Sequence, residues 1–268
     1  MPGLPDYGKP PVIEVAIGMQ FAPIQEFSAA HVGLYWATIR SAFPRVEEQA
    51  PIAHVVEPSG EQTPQAPAFQ ISDKPELPRT WFIDASGNRI IQVQRDRFLH
   101  NWRKLKPSDE YPRFPSVKES FLGYWDDFAR FLGDHGIRPA PDQCELTYVN
   151  HLRKGEGWDT MADLGDLFST YTWRTRSGFL PIPDNTRWSL RFLLPDQRGR
   201  LHVDVVPVRV QPENDLGIRF SLTARGKPSN IADSASMAEW YDLAREWIVM
   251  GFADLVDEKT DRLWEKEA

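Results

Sequence analysis

A single cysteine, Cys144, among 268 residues leaves no internal disulfide to form, and no CxxC or HExxH spacing offers a zinc site. No apolar run approaches the roughly 18 residues needed to cross a bilayer, and the opening MPGLPDYGKPP has neither a leader's apolar stretch nor an Arg-rich amphipathic pattern. The expectation is a cytoplasmic protein without a membrane association. Positive charge is also short: 31 Lys and Arg against 38 Asp and Glu leave a net charge of -7, which argues against a nucleic-acid partner unless one patch overcomes the balance. The 17 glycines are scattered, and neither GxGxxG nor GxxxxGK[ST] occurs; GxSxG and SxxK are absent as well. The familiar nucleotide, hydrolase and zinc signatures are therefore missing, and neither a cofactor nor a metal is expected.

What is present is patterning. Hydrophobic residues at 41% and charged residues at 26% suit a chain that buries a substantial core. Over residues 12–24, Ile13, Val15, Ile17, Met19 and Phe21 alternate with Glu14, Ala16, Gly18 and Gln20, the period of a half-buried strand. Ser28 offers an N-cap to a helix bearing Val32, Tyr35, Trp36, Ile39 and Phe43 and stopped by Pro44. Strand signals follow at 53–57, 68–71, 79–84 and 89–100, with an exposed loop at 58–66 and a hairpin turn at 84–88. Ser116 and Glu119 form a capping-box pattern ahead of Val117, Phe121, Tyr124, Trp125, Phe128 and Leu132, a long helix closed by Gly133 or Gly136.

The order then recurs. A strand at 143–152 precedes a short helix capped by Thr160 and Asp163 and bearing Met161, Leu164, Leu167, Phe168 and Tyr171. Strands at 187–194, 201–210 and 217–225 lead to a second capping-box pattern, Ser236 and Glu239, before Trp240, Leu243, Ala244, Trp247, Gly251 and Leu255. Short turns between consecutive strands favour antiparallel pairing, and helices with one apolar stripe cover one sheet face. The expected class is α+β: a mainly antiparallel sheet with helices on one face, in two pseudo-duplicated strand, helix, strands, long-helix units over 1–138 and 139–268 that form one compact unit. The element order resembles a TATA-binding-protein-like or helix-grip-like topology, a likeness of topology that carries no activity.

Candidate chemistry is sparse. Cys144 reads as core filler. His202 and Asp204, two apart on a strand, project from one face, where His151 or His100 would have to complete a metal site; a cross-strand surface pair is the simpler account. Glu14 interrupts an apolar strand and must emerge on its polar side or meet a cation. If Trp188, Leu190, Phe192, Leu194, Ile218, Phe220 and Leu222 meet the helices, then Arg187, Ser189, Arg191, Arg219, Ser221, Thr223 and Arg225 face away together. Arg95, Arg97, Gln20 and Glu14 join that face if strand order brings the halves together. Trp36, Trp125, Trp240 and Trp247 lie on helix stripes, which leaves Trp81, Trp102, Trp158 and Trp173 as recognition candidates.

Pro10, Pro11, Val12, Ile13, Glu14 and Val15, then Phe98, Asn101, Trp102 and Arg103, then Tyr111 and Pro112, resemble an uncharacterised, sporadically distributed bacterial family of about this length. Its members share a Pro-Pro-apolar-Glu-Val start and an Asn-Trp then Tyr-Pro segment. The resemblance spans nearly the whole chain and implies a bacterial cytosolic protein; it brings no catalytic residue, substrate or cofactor. Trp102, Tyr111 and Arg103 on this connection suit a structural latch or the lining of a pocket.

The resulting reading is a non-catalytic ligand- or protein-binding, regulatory module with a polar, Arg-bearing sheet face. Its binding residues are Glu14, Gln20, Arg95, Arg97, Trp102, Arg103, Arg187, Arg191 and Arg219, and its partner is a protein or a small anion. The alternative is an enzyme with Glu14, His151, His202 or Asp204 as acid or base and Arg191 or Arg219 holding an anion. A third is a nucleic-acid-binding, defence or toxin-neutralising component. An open edge strand would permit a homodimer.

Overall fold

The computed structural model describes residues 3–57, 77–211 and 214–267; the strand expected at 68–71 and the loop at 58–66 lie outside these. In β1 (Val12–Phe21), Val15, Ile17, Met19 and Phe21 are fully buried on one side, as their alternation requires. The other strands are β2 (Arg45–Gln49), β3 (Arg79–Ile83), β4 (Arg89–Gln94), β5 (Arg97–Arg103), β6 (Pro141–Arg153), β7 (Trp188–Leu193), β8 (Gly199–Val210) and β9 (Asp215–Gly226). They form one antiparallel sheet in the order β2-β3-β4-β5-β1-β6-β9-β8-β7. The β1 and β6 strands are central neighbours, so one sheet runs through both halves of the chain, with five strands from the first half and four from the second.

Helices α1 (Ala29–Ile39), α2 (Phe114–Asp134) and α4 (Ser234–Leu255) pack on one face, with the short α3 (Leu164–Leu167) and α5 (Lys259–Leu263) beside them. Their stripes are aromatic. Phe128 of α2 stacks on Phe98 of β5 with centroids 4.8 Å apart, Tyr35 of α1 meets Phe128 edge-on at 5.0 Å, and Phe121 of α2 meets Tyr241 of α4 at 5.3 Å. Cys144 is buried on this side, its thiol pushed up to about 12 by burial, as core filler would be. No helix among the described residues is long and apolar enough to cross a membrane.

On the other face β1 passes close to β5. Gly18 lies opposite Leu99, and a Cβ at Gly18 would sit 2.2 Å from Leu99 Cδ2 and 2.9 Å from the Phe98 carbonyl oxygen. Gly18→Ala must displace both strands and is expected to cost about 2 kcal/mol in urea unfolding; an unchanged midpoint and slope would contradict this packing.

Several expectations are corrected. Residues 53–57 are extended but pair with no strand, and the strand lies earlier, at Arg45–Gln49. The stretch 89–100 is a tight hairpin rather than one strand: it turns at Arg95 and Asp96, where the Asp96 carbonyl accepts from the Phe21 amide at 3.0 Å and the Arg95 carbonyl from Ile24 at 2.9 Å. Helix α2 starts at Phe114, two residues before Ser116, and Asp233 rather than Ser236 caps α4, its carboxylate accepting from the Ser236 amide at 2.8 Å. Phe192 alternates correctly, yet it is 40% exposed because it lies on the edge strand β7 beyond the helices.

Candidate functional site on the polar sheet face

The face without helices is not a simple wet surface, because many of its polar side chains are buried. Register places Gln94, Arg97, Gln20 and Gln143 side by side in one row across β4, β5, β1 and β6. All four are buried. Burying so many polar groups is tolerable only if each is hydrogen-bonded, and the partner is residues 52–57, which cross the strands along this row.

Gln94, Arg97 and Gln143 reach the main chain of that strap, and Gln20 is bonded within the row. The Gln94 amide both accepts from the Ile52 N–H and donates to the Ile52 carbonyl, each at 2.8 Å. Gln143 repeats the device, accepting from the Glu57 N–H and donating to the Val55 carbonyl, each at 2.7 Å. Between them Arg97 Nη2 donates to the Ala53 carbonyl at 3.2 Å and to Gln20 Oε1 at 2.8 Å. His54 is held between Asp96 and Asp142, at 2.9 and 3.2 Å, while Val55 and Val56 point outward, 43% and 47% exposed.

The strap ends in a cationic cage. The Glu57 carboxylate receives His202 Nε2 at 2.5 Å and Arg200 Nη1 at 3.4 Å, with Arg225 Nη1 at 4.0 Å, and the side chains of Glu57 and Arg200 are each 6% exposed. Burial alone would push the Glu57 carboxyl up, but the hydrogen bond and charge of His202 with the guanidiniums of Arg225 and Arg200 outweigh it and hold the group below the usual carboxylate range. Arg225 also donates through Nε to Glu145 Oε2 at 2.5 Å, and Glu145 accepts from Gln20 at 3.5 Å, which connects the cage to the row.

A second cluster occupies the first-half end. Asn101 Nδ2 donates to Glu14, while Asn101 Oδ1 accepts from Gln92 Nε2 at 2.7 Å; Gln92 Oε1 in turn accepts from Arg79 at 2.8 Å and Trp81 at 2.9 Å. The Trp81 ring carries the Arg79 and Arg103 guanidiniums at 5.3 and 5.5 Å. Burial pushes the Glu14 carboxyl up, against the Asn101 hydrogen bond and the charges of Arg103 and Arg79.

Among the expected site residues, Glu14, Gln20, Arg97 and Arg103 therefore lie in connected polar clusters. Arg191 and Arg219 share the face but are exposed, opposite His202 and His151 respectively, and Arg187 is exposed just before β7. Two residues are misplaced. Trp102 pairs with Val15 and so faces the helices, 5% exposed against Tyr111, and Arg95 is in the hairpin turn. Trp158 is buried, and Trp173 is 36% exposed. The acid and base candidates do not converge. Glu14 and Asp204 lie three strand spacings apart, ~14 Å, and His202 turns to Glu57. Among the described residues no group of three His, Cys, Asp or Glu side chains is placed to hold a metal.

Gln94, Gln143, Glu145, Glu57 and Arg200 were not singled out by sequence. A signal existed for the glutamines: Gln20, Gln92, Gln94 and Gln143 occupy outward positions on strands whose inward side is mostly apolar, Arg89 and Asn150 excepted. No protein-family model matches the chain, and no curated protein matches its sequence.

Proposed function

We propose that the protein is a non-catalytic binding module whose polar sheet face holds an extended, acidic segment of a partner protein, with residues 52–57 as its internal occupant. One observation carries this reading: the face contacts that segment through its main chain, the His54 imidazole between Asp96 and Asp142, and a single carboxylate. Gln94 and Gln143 each satisfy an N–H and a carbonyl, and Arg200, His202 and Arg225 surround Glu57. Main-chain pairing gives affinity without demanding particular side chains, and a caged carboxylate selects charge and register. A partner segment would compete with the strap, so the internal occupant sets a threshold for binding.

The test uses the full chain carrying Glu57→Gln, which loosens the strap, and a fluorescein-labelled peptide of residues 50–57. Fluorescence anisotropy is expected to show the Glu57-bearing peptide binding at least about tenfold more tightly than the same peptide with glutamine there. Equal affinity for the two peptides, or no binding of either at millimolar concentration, would overturn the proposal.

A further inference from the structure

On the helix side, away from the strap, a second feature has the properties of a small-molecule site. A cleft of about 320 Å³ opens between the N-terminal segment, the start of α2, β6 and α4, at the small end of the roughly 300–1,000 Å³ typical of such sites. One wall is apolar, made by Val12, Ile248 and Phe252 among others. The other carries donors. The Tyr111 and Tyr148 hydroxyls lie 2.8 Å apart, and Arg245 sits beside Tyr148 with its guanidinium over the Phe114 ring at 5.4 Å.

The donors outnumber the acceptors. The two phenols bring two O–H protons, of which their mutual bond uses one. Burial pushes the Tyr148 hydroxyl up to about 12, so it stays protonated at neutral pH. Two arginines and one carboxylate line the cleft: Asp6 is taken by Arg113 Nη1 at 2.5 Å, and no carboxylate among the described residues pairs with Arg245. The first turn of α2, through Phe114 and Pro115, faces the same space and adds the positive end of a 21-residue helix. Arg113, which caps that helix, is held at φ 66° and ψ 151°, a backbone region otherwise left to glycine. A half-buried guanidinium, a spare hydroxyl proton and a helix N-terminus all call for one anionic group, and the apolar wall calls for a hydrocarbon body attached to it.

We infer that this cleft binds a small monocarboxylate with an apolar body, its carboxylate set against Arg245 and the Tyr111–Tyr148 pair. The inference is independent of the strap and its partner.

Isothermal titration calorimetry with 4-phenylbutyrate and its neutral counterpart 4-phenylbutanol tests it on the full chain. The wild type is expected to bind the acid about tenfold or more tightly than the alcohol, and Arg245→Met, which keeps the apolar stem over Phe114, to erase that preference while still binding the alcohol. Tyr111→Phe keeps the ring packing and is expected to weaken the acid several-fold, which keeps the inference testable if the methionine variant does not fold. Equal affinities for acid and alcohol in the wild type would overturn it. So would an acid preference that survives Arg245→Met, or, should that variant not fold, one that survives Tyr111→Phe. The absence of binding by either probe at millimolar concentration would overturn it as well.

Discussion

Replacing Glu57 by glutamine is expected to speed amide hydrogen exchange at Ile52 and Glu57 by about 100-fold. Both amides donate to side chains of the sheet, at 2.8 Å to Gln94 and 2.7 Å to Gln143, so they exchange only when the strap lifts. Glutamine is nearly isosteric with glutamate but removes the carboxylate charge that Arg200, His202 and Arg225 surround. Removing one partner of a buried ion pair costs about 3 kcal/mol, which corresponds to roughly two decades of local opening. If the strap detaches instead of straining, the guanidinium is rehydrated and global stability changes less than exchange does. Exchange rates at both amides within about twofold of wild type would show that the cage does not hold the strap. Acid should act in the same way. Because the folded carboxyl lies below the ordinary range, its contribution is present above the usual carboxylate pKa of about 4 and is lost as pH falls through the folded value.

Stability is expected to fall by about 3 kcal/mol between pH 6.5 and pH 4 through a single buried imidazole, that of His100. It lies on the helix side of β5, 2% exposed, 5.1 Å from the Tyr124 ring, with Nδ1 donating to the Ile90 carbonyl at 3.2 Å. Burial holds its pKa down to about 4, against the Ile90 hydrogen bond. In that window the unfolded chain protonates the histidine and the folded chain does not, so the unfolded state takes up more protons and gains on the folded one as pH drops. Above about 6.5 the contribution is complete. Urea unfolding at pH 7 and pH 4.5 should show the loss in wild type, and His100→Phe, which fills the same space without titrating, should lack most of it. A variant with the same pH slope as wild type would assign the loss to other groups. The His151 imidazole, lowered by burial and by Arg219 and Arg153, titrates in the same direction and remains present in both proteins.

The sequence made some features readable and hid others for identifiable reasons. From Val15 to Phe21 and in β7 and β9, alternation assigned inward and outward residues correctly, because side-chain direction in a strand is local geometry, whereas the register shift between Val12 and Glu14 puts Val12 rather than Ile13 in the core. The hairpin inside 89–100 was missed because Gln94, Arg95, Asp96 and Arg97 contain no glycine, proline or asparagine. A cue was nonetheless present: the inward phase moves from odd positions, Ile91 and Val93, to even ones, Phe98, His100 and Trp102. That same flip turns Trp102 inward. Residues 53–57 have the Val-rich composition of a strand, yet their main-chain partners are glutamine and arginine side chains, which no propensity scale anticipates.

Which side of most strands is apolar, and which stripe of each long helix is, was set by spacing along the chain alone. That β1 lies beside β6, that Gln94, Arg97, Gln20 and Gln143 therefore form one row, and that Glu57 finds Arg200, His202 and Arg225 required the folded molecule. Periodicity is a property of a few neighbouring residues, whereas register between strands more than 40 residues apart, and a carboxylate meeting cations over 140 positions away, depend on the packing of the entire sheet.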